Sequence, residues 1–428
     1  MNQKFNSLFR RIRRKPLYYT LAVFDLALGT SIFLLVALFV QDQFAFDKNI
    51  PHHERVYRME FGDWCVIPPA LGTYMNGRYT GVEEICRTFF STNTDGFVDG
   101  KHFRFDQIVS ADSNFIRMFG IKIVQGDMDA LGKPGSIVLT RRMAQVLFGQ
   151  EEPVGKIIRF QNRISLSVAA VVDEPERIHL TFDAIVPLET LKTWIRQDYL
   201  DSYKASNFPT YLRLKQGFDK DQIESEIEKD LAANVYPEEN PDALQLRLRP
   251  VDEIYFFNTA QYEAGTIHGN RQVVWVLFAV GCLVLLLAVV NYINMATSEV
   301  LTRARETGLR QVLGASRSNL MGDFLTESFI LSLAAWLTGI LFVFFLLPYF
   351  NRLAGTSLQI EIPWSYWVVG PILLAILSGI IPSFSLVTFR PAEAIRGMLN
   401  RGKKSLVMRR ALVVFQYSVS IALICGVF

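Results

Sequence analysis

The sequence is poor in the residues that mark an enzyme, a metalloprotein or a disulfide-stapled domain. Its 428 residues include four cysteines and five histidines. Cys65, Cys86, Cys282 and Cys425 form no CxxC pair and have no zinc-ligand spacing. Of the histidines, His52 and His53 are adjacent, so their side chains diverge on a helix or strand, and His102, His179 and His268 stand alone. There is no HExxH, no GxSxG and no EF-hand loop. Acid pairs such as Glu83-Glu84 and Glu151-Glu152 read as solvated surface. Nor is there a phosphate-cradling GxxxxGK[ST]; Gly314-Ala-Ser316 and Gly402-Lys403-Lys404 are too short and in the wrong context. No catalytic residue, metal ligand or cofactor-binding residue is assigned. If ATP drives this protein, it binds to another chain.

Apolar length is what the chain has in quantity. Half of its residues are hydrophobic and the mean hydropathy is positive, high for a soluble protein. The net charge of +3 hides an asymmetry. Residues 41–270 hold 25 Lys and Arg against 34 Asp and Glu, whereas the remainder holds 19 against 7. An acidic middle between basic, apolar ends describes a folded domain inserted into a membrane protein. The basic residues flank apolar runs and form no basic domain, which argues against nucleic acid as a partner.

Five apolar runs stand out: Tyr18–Val40, Val273–Val290, Phe329–Leu347, Trp364–Val387 and Ala411–Phe428. The first, broken only by Asp25, is long enough as a helix to cross the roughly 30 Å hydrocarbon core. It exceeds a signal-peptide core, and Gln41-Asp42-Gln43-Phe44 offers no small-residue cleavage site. Cationic side chains near spans stay on the cytoplasmic side. Lys4, Arg10, Arg11, Arg13, Arg14 and Lys15 precede the first run, and Arg303, Arg305, Arg310 and Arg317 separate the second from the third. Seven Lys and Arg against Glu393 alone separate the fourth from the fifth. The connection between the third and fourth runs carries only Arg352 and Glu361. All the basic clusters then fall on one face, which puts residues 41–270 outside.

This reading divides the chain into a basic cytoplasmic N-terminus (1–17), a first span (18–40) and an external domain (41–270). Three spans follow in 271–388, with a cytoplasmic loop at about 291–323, then a basic linker (389–410) and the start of a fifth span (411–428). The fold class is membrane α-helical, four spans plus the start of a fifth, with an inserted α+β domain. In the insert, Ile137–Thr140, Ile157–Phe160, Ser165–Val172, Phe208–Leu214 and Leu244–Leu248 read as strands. Thr140 is placed to cap a helix ending at Gly149, and Phe218, Ile223, Ile227 and Leu231 mark a second helix with an acidic first turn. Cys65 and Cys86 both lie in this domain, where a disulfide and two free thiols remain open alternatives, because spacing carries no bond geometry.

The loop Ser298–Leu320, SEVLTRARETGLRQVLGASRSNL, has apolar residues at helical spacing among arginines. Gly314 is placed to end one helix and Ser316 to cap the next. The expectation is a short amphipathic helix lying at the inner membrane face. Two readings stand: a passive interfacial helix, or a coupling helix seated in a cytosolic partner, with Gly308 leaving a notch for close approach.

The segment Ala304–Leu320 resembles the signature loop of the FtsX-like ABC transporter permease family with a MacB-like periplasmic core domain. Asn291-Tyr-Ile-Asn294, Asp112-Ser-Asn-Phe115, Gly126-Asp127, Pro153-Val-Gly155-Lys156, Leu347-Pro348 and Arg390-Pro391 through Gly397 are similar to further landmarks of that family. The resemblance implies a multi-pass permease of the bacterial inner membrane whose residues 41–270 lie in the periplasm. Its implied partners are a separate ABC ATPase subunit, which carries the ATP, a second permease half or a second copy, and a periplasmic adaptor or target. It assigns Arg303, Arg305, Glu306, Gly308, Arg310 and Gly314 to the ATPase-coupling region. Arg409–Ser420 looks like the opening of a second copy, so the chain is expected to be the first half of a duplicated permease. Asp25 departs from the family's small or apolar residue at that point. An ABC exporter of amphiphiles and a mechanical signaller that transports nothing both fit, while a ligand-sensing receptor fits poorly because no signalling module follows the domain.

Overall fold

The computed structural model describes residues 10–387 apart from 128, 161–163, 197, 238–243 and 361–363, together with 410, 411, 413–421 and 425; the side chains at 300–308, 317, 364–366, 381 and 384–387 lie outside that description. In chain order a long helix, α1 (Pro16–Gln43), precedes ten strands and two principal shorter helices, α2 (Arg141–Phe148) and α3 (Lys220–Asn234). Three long helices follow: α4 (Arg271–Val312), α5 (Arg317–Ala354) and α6 (Trp364–Val387). The chain divides into two compact units, one from Phe44–Asn270 and the other from the residues on either side.

The insert is one mixed sheet. Its strands are β1 (Val56–Phe61), β2 (Val82–Val98), β3 (Lys101–Ala111), β4 (Ile123–Gly126), β5 (Ser136–Thr140), β6 (Ile157–Phe160), β7 (Ser165–Val172), β8 (Ala184–Pro187), β9 (Thr210–Leu214) and β10 (Leu246–Pro250). They run in the order β10-β1-β9-β2-β3-β8-β5-β7-β4, with β6 paired to β2 and β7. The 17-residue β2 joins the two halves: its first residues pair with β9 and the rest pairs with β3 from Thr88↔Ala111 to Val98↔Lys101. Each half is covered by one amphipathic helix. In α3, Ile223, Ile227 and Leu231 recur every fourth residue and bury against Met59, Leu212 and Leu248. Each such side chain contributes on the order of 1.5–3 kcal/mol when removed from water. Asp219 caps α3, its carboxylate accepting from the Asp221 amide at 3.1 Å. Met143, Ala144, Leu147 and Phe148 of α2 bury against Ile137, Leu139 and Leu166. Thr140 Oγ1 caps α2 by accepting from the Met143 amide at 3.3 Å, and Gly149 ends it at φ +64°.

Two buried polar groupings cross this unit. Asp47 Oδ1 accepts from the backbone amide of His179 and lies 2.8 Å from its Nδ1, while His179 Nε2 lies 2.9 Å from the Tyr211 hydroxyl. Arg58 donates to Glu60 at 2.7 and 3.0 Å and pairs with Glu263; Arg249 also donates to Glu60, and His268 sits 2.8 Å from Glu263. Of the two alternatives left open for Cys65 and Cys86, the structure has the free thiols, both of them buried. Cys86 faces the central core from β2, whereas the Cys65 thiol, in the loop after β1, donates to the Gln261 carbonyl at 3.1 Å. Burial pushes the Cys65 thiol up to about 12, overriding the nearby Arg58.

Of the described residues, three stretches are long and apolar enough to cross a membrane: Pro16–Gln43, Arg271–Glu299 and Ser318–Ala354. α6 holds a shorter apolar stretch, Trp367–Ile380. Of the fifth apolar run, residues 413–421 are helical. The 389–410 linker and its Arg390–Gly397 motif lie almost wholly outside the described residues. α1 packs between α4 and α5 through Leu26, Ala27, Leu34, Tyr292, Ile293, Ala335 and Trp336. Small residues allow the approach, since a Cβ on Gly29 would stand 2.4 Å from that of Ala288.

Candidate functional site

The segment singled out in the sequence forms the turn between α4 and α5. The structure differs from the expectation of a separate interfacial helix, because α4 continues unbroken from Arg271 to Val312. Between Val290 and Gly314 there is no proline and only one glycine, so nothing interrupts the backbone ladder, and the Ala, Arg, Glu and Leu residues favour its propagation. At 42 residues the helix is about 63 Å long, roughly twice a hydrocarbon core. From Gln272 to Ser298 it carries no charged residue, and the fourteen residues that follow, 299–312, bring in Glu299, Arg303, Arg305, Glu306 and Arg310 as an extension beyond the span.

Gly314 ends α4 at φ +96°, a backbone conformation that penalises a side chain. The Ala315 amide donates to the Arg310 carbonyl at 2.9 Å and the Gly314 amide to Gln311 at 3.1 Å, the paired bonds of a Schellman stop. Two residues on, Ser316 Oγ accepts from the Asn319 amide at 3.2 Å and starts α5. The two arms thus join in a closed, hydrogen-bonded turn. Its tip is apolar and uncovered: Leu309, Val312 and Leu313 are exposed, Leu313 by 81%. Arg310 reaches Asp323 on the other arm at 4.0 Å, an exposed pair worth little in stability. Arg303, Arg305, Glu306 and Gly308 lie along the α4 extension, where only the helical backbone is described. The arrangement presents an apolar knob on a rigid arm and no nucleophile, metal cage or phosphate cradle among the described residues.

Sequence reasoning missed the acids at the base of this hairpin. Glu299 on α4 and Glu327 on α5 are both buried. Lys15 Nζ reaches both Glu299 oxygens, at 2.9 and 2.8 Å. Arg11 donates to Glu327 Oε2 at 3.0 Å and the Tyr19 hydroxyl to its Oε1 at 2.7 Å. The signal that could have found them is an acid at the edge of an apolar run, since a buried carboxylate without a partner is too costly to keep. Asp25, noted in the sequence, meets a neighbouring span: Asn291 of α4 donates to its Oδ1 at 3.2 Å, and Gln416 donates to Asn291 at 3.4 Å.

Comparison with known proteins follows the same division. The family model of the MacB-like periplasmic core domain matches residues 20–230, and that of the FtsX-like permease C-terminal region matches residues 278–391. The macrolide export ATP-binding/permease protein MacB of Haemophilus ducreyi is 23% identical over 265 residues, covering 60% of this chain and 35% of that protein. The uncharacterized ABC transporter permease YknZ of Bacillus subtilis is 24% identical over 297 residues, covering 67% of this chain and 68% of that protein. The chain therefore spans about a third of the length of the MacB relative. The periplasmic region of MacB from Actinobacillus actinomycetemcomitans aligns at 14% identity with a TM-score of 0.38, covering 48% of this chain and 92% of that structure.

Proposed function

Because the chain belongs to the FtsX-like ABC permeases with a MacB-like periplasmic core domain, we propose that it is the permease subunit through which a separate cytosolic ATPase moves that domain. ATP sits on the ATPase, and this chain supplies no catalytic residue and no cofactor site. The chain lies in a bacterial inner membrane with its N-terminus, the α4–α5 turn and the basic 389–410 stretch inside. α6 makes a fourth span, the run from Ala411 begins a fifth, and a second permease half or a second copy completes the pore side. A periplasmic adaptor or target receives the motion of the core domain.

One observation carries this reading: α4 outruns its span and ends in a closed turn whose tip exposes Leu309, Val312 and Leu313. An uncovered apolar knob on a rigid arm costs solubility unless a partner buries it, and each such side chain returns on the order of 1.5–3 kcal/mol when covered. Arg303, Arg305, Glu306, Gly308, Arg310 and Gly314 are assigned to that contact. The test is recovery of the ATPase with the tagged full chain from native membranes. Gly308→Trp is expected to reduce recovery while leaving the proteolytic pattern of the core domain unchanged. Equal recovery, or labelling of the 303–317 stretch by an outside-confined reagent in intact cells, would overturn the assignment. Stimulation of ATP turnover by an amphiphilic substrate supports export. Stimulation only by a periplasmic partner, without flux, supports the second reading, a mechanical signaller.

A further inference from the structure

Positive charge before the first span is sufficient to orient it, and that role needs no particular partner. Arg11 and Lys15 nonetheless have specific ones. Residues 10–14 are helical, Lys15 forms a bend and α1 begins at Pro16; across that bend the Lys15 amide bonds to the Arg11 carbonyl and the Tyr19 amide to the Lys15 carbonyl, at 3.0 and 3.4 Å, which ties Arg11 and Lys15 to the first turn of α1. This segment meets two different helices. Lys15 holds Glu299 on α4, while Arg11 and Tyr19 hold Glu327 on α5. Glu299 is the first charged residue of α4 after Arg271, and Glu327 lies eleven positions after Ser316, the cap of α5. These are the roots of the two arms that meet at Gly314. The arms are also tied to each other there, Tyr292 Oη donating to Ser328 Oγ at 3.4 Å.

Both carboxylates are nine-tenths or more buried, with side-chain exposures of 9% and 8%. A buried acid that loses its cation is far more costly than one at the surface, so each pair resists separation of its helices. Packing resists it as well, since Tyr19, Ala22, Leu26 and Tyr292 form one core with α5. α1 runs without a break from Pro16 to Gln43, and residue 44 is already part of the core domain. A displacement of the hairpin therefore reaches the domain through α1 as well as through α4, provided that α1 is clamped at its lower end.

We propose that Arg11 and Lys15 are positioning residues that clamp α1 to the roots of both hairpin arms, so that motion imposed on the α4–α5 tip is relayed through α1 to the periplasmic domain. The inference rests on the permease reading above and adds a specific mechanical joint to it. The clamp makes charge sign at 15 and 299 a matched pair, whereas a purely topological role makes only the sign at 15 matter.

The test uses the tagged full chain, purified from native membranes with the ATPase that accompanies it and placed in lipid nanodiscs. The readout is the change in proteolysis rate of the core domain when ATP and vanadate are added. Glu299→Lys sets two cations against each other and is expected to abolish the nucleotide-dependent change; adding Lys15→Glu is expected to restore it. Glu327→Gln is expected to lose the change while ATPase recovery persists, and its nucleotide-free cleavage pattern reports whether the domain is folded. If the ATPase is recovered but E299K and E327Q respond like the unmodified chain, the clamp is overturned and the permease reading stands. Failure of K15E/E299K to respond, with the pattern of a folded domain, overturns it equally. If no ATPase accompanies even the unmodified chain, the permease reading falls and the relay falls with it.

Discussion

The substitution Arg58→Met addresses the largest buried charge in the periplasmic domain. Arg58 is 1% exposed on β1, and its guanidinium is shared between Glu60, also 1% exposed, and Glu263. Burial alone would disfavour the cation, but the surrounding acids outweigh it and hold the group charged. Removing the cation leaves Glu60 with Arg249 and Glu263 with His268. Breaking a buried pair by deleting one partner costs about 3–5 kcal/mol, and the surviving partners place this case toward the lower figure. For a domain of this size one kcal/mol moves Tm by roughly 2–4 °C, so a fall of about 6–12 °C is expected. Against a total stability of about 5–15 kcal/mol that is a large share. The assay is pulse proteolysis of the full chain across a urea series, following disappearance of the intact core domain. Combining Arg58→Met with Glu263→Gln should cost less than the sum of the two single changes, because the second removes a charge left stranded by the first. A loss below about 1 kcal/mol for Arg58→Met, or strict additivity, would refute the reasoning, since either result means that the guanidinium is not held by those acids.

Other expectations are more local. Cys65 and Cys86 should resist maleimide at pH 8 in the native chain, label in denaturant, and migrate identically with and without reductant, because burial holds both thiols in the protonated form; rapid native labelling would contradict their placement. Asp230 accepts from Tyr79 at 2.7 Å and from both sides of Arg78 at 2.9 and 3.1 Å, and although burial pushes its carboxyl up, these bonds win and lower it to about 2. Since its folded pKa lies below the unfolded value near 4, its contribution is complete above that value and lost as pH falls toward 2; Asp230→Asn should flatten the pH–stability curve in that window, and an unchanged slope would remove the claim. Gly29→Val should separate α1 from α4, where a Cβ would stand 2.4 Å from Ala288, and destabilise the chain by an amount typical of overpacking, about 1–3 kcal/mol, read as a fall in detergent Tm, whereas unchanged thermal stability would mean that the helices pack differently.

What was legible and what was not divides by the range of the signal. The stop at Gly314, the cap at Ser316, the cap at Thr140 and the α3 stripe of Ile223, Ile227 and Leu231 are all encoded within a few residues and appear in the structure where the pattern put them. The continuity of α4 is masked in the sequence because amphipathic spacing after Val290 resembles an interfacial helix, while the missing breaker is the stronger determinant. The 17-residue β2 is not legible in the sequence, since Ser91-Thr-Asn-Thr-Asp95 has the composition of a turn and becomes strand only through pairing with β3. Arg11 and Lys15 were visible only as positive charge.

By itself the sequence determined the apolar lengths, the one-sided distribution of basic residues, the acidic insert and the punctuation of the turn, because each depends on neighbours along the chain and on the solvent phase that they meet. Only the tertiary structure decided which charges are neutralised by which. Lys15 and Glu299 stand 284 residues apart, Arg11 and Glu327 stand 316 apart, and Arg58 and Glu263 stand 205 apart. No local pattern can assign such partners, because a buried charge is stabilised by whatever cation folding brings within about 3 Å of it, and that distance exists only once the helices and strands have packed.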